Sequence, residues 1–106
     1  MLLENKNANS AVNRIYYAMF YVVSALANQE KFATSKHKQL IGWFNKTFIK
    51  EGILPTIYKD MLVKSFEYRT ESDYGKSKPI ATETVQQLYD DMLVFTVAIR
   101  KMVEEQ

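Results

Sequence analysis

The chain of 106 residues has no cysteine and a single histidine, His37. Without thiols there is neither a disulfide framework nor a thiolate metal site, which fits a reducing, cytoplasmic setting. One imidazole excludes a multi-histidine metal centre within one chain, and any mechanism needing two histidines; no cofactor or metal is called for. Apolar runs are short. None approaches the roughly 20 residues needed to cross a bilayer, and Met1–Ser10 lacks the basic-then-apolar layout of a signal peptide. A soluble, intracellular protein is the expectation. Also missing are a phosphate-cradling glycine loop, a His-Glu-x-x-His pair and a nucleophile elbow. Asp90-Asp91 and Glu104-Glu105 are adjacent carboxylates, which on a helix point about 100° apart and make no acid/base pair.

Only three glycines and two prolines interrupt the chain. What remains is helical periodicity, with no segment alternating at period two. A hydrophobic share of 47% and a charged share of 25% place the chain among ordinary globular domains rather than disordered ones. Val12, Ile15, Tyr16, Met19, Val22 or Val23, and Leu26 line one face of a long helix ending near Gln29 and beginning at Ala11 or nearer Leu2. Its other side carries Asn13, Arg14, Tyr17, Tyr21 and Ser24. Thr34 or Ser35 can cap a second helix over Lys36–Lys50, with Leu40, Ile41, Phe44 and Phe48 as its stripe and Gly52 as its stop. Pro55 opens a third, carrying Ile57, Tyr58, Met61, Leu62 and Phe66 to Gly75. Thr82 caps a fourth, with Val85, Leu88, Met92, Phe95, Ile99 and Met102 inward. One all-α domain, a four-helix up-and-down bundle, follows.

Charge is distributed unevenly. Residues 1–50 carry seven Lys/Arg against two acids, a net +5, whereas residues 51–106 carry seven against ten, a net −3. Lys31, Lys36, Lys38, Lys46 and Lys50 crowd the second quarter, around His37. A solvated face is the ordinary explanation; a phosphate or acidic partner is the sharper one. The most polar helical stretch is Phe66–Gly75, which gathers Arg69, three carboxylates and two tyrosines. Arg69 and Asp73 are four apart and share a helix face, so an exposed ion pair would account for them as well as a binding site would.

Two further patterns carry a family resemblance. Ser10-Ala-Val-Asn-Arg-Ile-Tyr-Tyr-Ala-Met-Phe-Tyr21 resembles the Asn-Arg-x-Tyr-Tyr-Ala-x-Phe helix of HEPN domains. Ser35-Lys-His-Lys-Gln-Leu-Ile41 and Phe44–Lys50 resemble the family's Ser-His segment and second helix, and Arg69-x-x-x-Asp73-Tyr74-Gly75 its Arg…Ala-Asp-Tyr segment. The match runs from about Ala8 to Met102. It implies a helical bundle, a homodimer, and a toxin–antitoxin-like setting with a minimal nucleotidyltransferase as partner. The family's front helix is not evident before Asn5, so the bundle would be incomplete and expose an apolar groove. Many family members are metal-independent ribonucleases using Arg-x(4–6)-His. Here Tyr74, Gly75 and Lys76 follow Arg69 at those spacings, and Met19, Phe20 and Tyr21 follow Arg14. The ribonuclease motif is absent, and a phenol with a reference pKa near 10 is a poor general base at neutral pH.

Binding rather than cutting is therefore expected. Asn13, Arg14, Tyr17, Arg69, Asp73 and Tyr74 are the candidates for holding a nucleotide or RNA. A ribonuclease using Arg69 with His37 or Tyr74 is the alternative, although His37 beside the Thr34-Ser35 cap reads as a cap or surface residue. A third expectation is that Tyr74 accepts a nucleotidyl group from the partner enzyme.

Overall fold

The 25-residue helix α1, Asn5–Gln29, sets the long dimension of the molecule. At about 1.5 Å per residue it spans roughly 37 Å, close to the largest extent of 42 Å. The computed structural model describes the backbone of residues 5–73 and 80–105 and the side chains of 7–71 and 80–105. Around α1 stand α2 (His37–Phe44), which runs into one π-helical turn at Asn45–Ile49, then α3 (Thr56–Asp73) and α4 (Thr82–Glu104). The fold is all-α, with no strand among the described residues. α1 packs against all three other helices, most extensively against α4.

The buried face of α1 is the one its apolar spacing predicts. Val12, Ile15, Tyr16, Met19, Val23 and Leu26 lie in the core, and so do Ala8, Phe20 and Ala27. Leu40, Phe44 and Phe48 meet them from the second helical segment, Leu62 from α3, and Val85, Leu88, Phe95 and Ile99 from α4. Phe44 stands 5.9 Å from Phe48 and 5.7 Å from Phe95, ring centre to ring centre, tying the second segment to the fourth. Two buried hydroxyls bond their own helix: Ser65 donates to the Leu62 carbonyl at 2.8 Å, and Thr96 to that of Leu93 at 3.4 Å. Such local bonds let a polar side chain enter the core without an orphaned donor.

Several local expectations need correction. The second helix is not α-helical over Lys36–Lys50, because its last five residues form the π turn, closed by Lys50 N–H donating to the Asn45 carbonyl at 2.9 Å. Lys36, not Thr34 or Ser35, is the N-cap of α2, and no side chain caps it. Thr34 Oγ1 accepts the Lys36 N–H at 3.1 Å and donates to Gln39 Oε1, so it braces the turn instead. α4 is capped by Ala81, and the Thr82 hydroxyl is already inside the first turn. Ile57, assigned to the core, is exposed. Pro55 fixes the chain one residue earlier than the apolar face begins, and only Leu62 and Ser65 of α3 become fully buried. Gly52 does end the second segment: it adopts φ +75°, the left-handed conformation that glycine alone adopts cheaply.

Candidate functional site

Tyr16 and Tyr17 are adjacent on α1, so their side chains diverge by about 100°. Tyr16 goes fully into the core, whereas Tyr17 stays half-buried at its edge. Between them a cluster forms from three elements. His37, the first residue of α2, stacks on Phe20 at 4.2 Å and on Tyr16 at 5.5 Å, and meets Tyr17 edge-on at 5.9 Å. Phe66 of α3 closes the far side, 5.6 Å from Tyr16 and 6.3 Å from His37. Arg69 of α3 places its guanidinium 5.4 Å from the Tyr17 ring centre and 5.8 Å from that of Tyr16. Its Nη2 donates to the Tyr17 hydroxyl at 3.1 Å. Cation–π attraction and a hydrogen bond thus hold the arginine against α1.

The strongest polar link is between Tyr16 Oη and His37 Nδ1, at 2.7 Å. Its direction follows from the environment. Burial pushes the Tyr16 phenol up, well above its ordinary value, with Arg69 pulling in the opposite sense. The phenol therefore keeps its proton and donates it. Burial, and secondarily the positive charge of Arg69, holds the His37 imidazole below its ordinary value. At neutral pH the ring is uncharged, Nδ1 accepts from Tyr16, and the ring proton resides on Nε2.

His37 and Arg69 line the same cleft, of about 800 Å³, together with Lys36, Lys38, Glu67 and Glu71. Two lysines and an arginine offer donors to a phosphate, and the two glutamates keep the wall from being uniformly basic. Such a cleft suits one or two phosphates better than a long polyanion sliding past. Among the described residues no group of three or more His, Asp or Glu side chains could hold a metal ion, and no helix is long and apolar enough to cross a membrane.

Of the residues singled out in the sequence, Tyr17, Arg69 and His37 come together. His37 is not a cap; it sits against the aromatic cluster. Asn13 and Arg14 are exposed, and Arg14 lines a separate groove between α1 and α4 with Gln86 and Tyr89. Asp73 is the last residue of α3, its side chain outside the described residues. Tyr74 and Gly75 lie outside them altogether. Sequence reasoning passed over Tyr16, Phe20 and Phe66 as mere core, although they build the seat of His37. The signal available was the aromatic run at positions 16, 17, 20 and 21, one helix surface with more rings than a core of this size needs.

Comparison with known proteins agrees with this architecture. The chain is 37% identical over 105 residues to a "UPF0332 protein" of Thermotoga maritima, covering 99% of this chain and 80% of that one. Over 105 residues it is 33% identical to "Putative toxin MJ0605" of Methanocaldococcus jannaschii, covering 99% and 78%. A second protein of that organism, "Putative toxin MJ0142", is 32% identical over 91 residues, covering 86% and 62%. No solved structure matches the chain. The HEPN domain family matches residues 1–105. From the first helix to the last, the chain belongs to the HEPN domain family.

Proposed function

We propose that this HEPN domain acts in a toxin–antitoxin-like system as a non-catalytic binding module, and that its Arg69–His37 cleft takes the phosphate of a nucleotide or of RNA. One observation carries the reading: an arginine and a histidine from different helices rest on the same two tyrosines and open onto one cleft with Lys36 and Lys38. Arg69, always charged, supplies a planar fork of donors. His37, neutral with its proton on Nε2, contributes one further donor. That protonation state also argues against cutting. A general base needs a free lone pair at the reacting position, and an acid needs a proton it gives up near neutral pH. The module would act as a homodimer and engage a minimal nucleotidyltransferase as partner.

The test is fluorescence anisotropy with a labelled single-stranded RNA and with a labelled adenine nucleotide, on the intact chain and on Arg69→Ala. Loss of one charge-assisted phosphate contact, about 1.5–3 kcal/mol, predicts at least a tenfold weaker complex. Equal binding by the variant overturns the reading. A second reading, a ribonuclease, is favoured by the same convergence of Arg69 with His37. It requires RNA cleavage in the presence of a chelator that is abolished by His37→Ala; intact RNA after prolonged incubation disposes of it. A third, nucleotidyl transfer to Tyr74, is checked by intact mass after incubation with the partner enzyme and ATP.

A further inference from the structure

α4 turns four large apolar side chains away from the core: Tyr89, Leu93, Val94 and Val97 are 44, 44, 52 and 53% exposed. Taken with the polar residues on the same side, the outward positions are Gln86, Asp90, Leu93, Val97, Arg100 and Glu104, all exposed. Their spacing alternates four, three, four, three and four. This is the repeat of a coiled-coil seam, present on the face that does not pack on α1. None of these residues lines the Arg69 cleft.

The seam has a further property. When a second α4 is laid antiparallel across it, with the two-fold axis at the level of Phe95, each outward residue meets a complementary one. Leu93 faces the second copy's Val97, Asp90 its Arg100, Gln86 its Glu104, and on the flank Tyr89 its Lys101. Apolar residues meet at the axis, opposite charges outside them, and an amide opposes a carboxylate at each end. A parallel arrangement would instead set Asp90 on Asp90 and Arg100 on Arg100. Self-complementarity about a two-fold axis is the requirement of an isologous dimer, and charge placement of this kind fixes register and orientation. Arg14 joins the pattern, because it shares a groove with Gln86 and Tyr89, where the second copy's Glu104 arrives.

We infer that the outer face of α4 is a self-association surface, occupied by the α4 of a second copy in antiparallel register. The proposal stands independently of what the Arg69 cleft binds. Sedimentation velocity over a concentration series is expected to give a reversible dimer, and Val97→Glu a monomer of unchanged far-UV circular dichroism. Asp90→Arg should weaken association at least tenfold, the factor corresponding to about 1.4 kcal/mol, and adding Arg100→Asp should restore it. Because the chain has no cysteine, engineered thiols report the register directly. A mixture of Leu93→Cys and Val97→Cys chains should form the mixed disulfide readily. Gln86→Cys alone should not couple to itself, since its two copies would lie about 27 Å apart along the axis. A monomer at every concentration, a dimer indifferent to Val97→Glu, or ready self-coupling of Gln86→Cys would overturn the inference.

Discussion

At the scale of single residues, the bond between Tyr16 and His37 decides how the cleft is protonated. Removing the phenol proton donor with Tyr16→Phe keeps the ring in the core but leaves Nδ1 without its partner. The neutral imidazole loses a bond that favours it, so the His37 titration followed by NMR should move upward in the variant. Stability should fall by about 1 kcal/mol, the net worth of such a hydrogen bond. The sign of the pH dependence follows from the same group. With its folded pKa depressed, His37 binds protons more readily in the unfolded chain, so its contribution to stability is complete above the unfolded value of about 6.5. That contribution declines as pH drops toward the folded pKa. A His37→Gln variant should flatten this part of the melting-temperature profile below neutrality. Arg69 and Tyr17 were legible in the sequence through their motifs; the approach of His37 to Arg69 was not, because it depends on the angle at which α2 returns to α1.

At the scale of elements, the apolar stripes located all four helices, since a buried face repeats every three to four residues wherever packing dictates it. What the stripes could not reveal was the π turn. Leu40, Phe44 and Phe48 are four apart, a spacing that an α-helix accommodates as readily. Nor did they reveal the caps: Thr82 resembled an N-cap residue, but Ala81 has the extended conformation that the position requires. The two described glycines separate backbone conformation from space. Gly42 lies within α2 with no atom within 4 Å of an added methyl, and Gly52 is equally open but at φ +75°. Gly42→Ala should therefore stabilise the chain by about 0.5–1 kcal/mol, whereas Gly52→Ala should destabilise it by about 1–2 kcal/mol. Urea denaturation of the two variants checks both signs.

For the whole molecule, α1 is the pillar and the other elements differ in how firmly they are held to it. α4 meets it along its length; α2 is eight residues long before the π turn begins. Helices shorter than about 12–15 residues are marginal alone, so α2 persists through Leu40, Phe44 and the His37 seat. The cleft thus lies between the most extensively packed helix and the shortest. In the language of amide exchange, α2 belongs to the low end of the range of opening free energies and α1 to the high end. Anything that bridges Lys36 or His37 to Arg69 also pins α2 to the pillar. An anion in the cleft should therefore slow exchange across residues 37–49 while leaving the core of α1 unchanged. Occupancy would register as a redistribution of local opening, with no visible shift in shape.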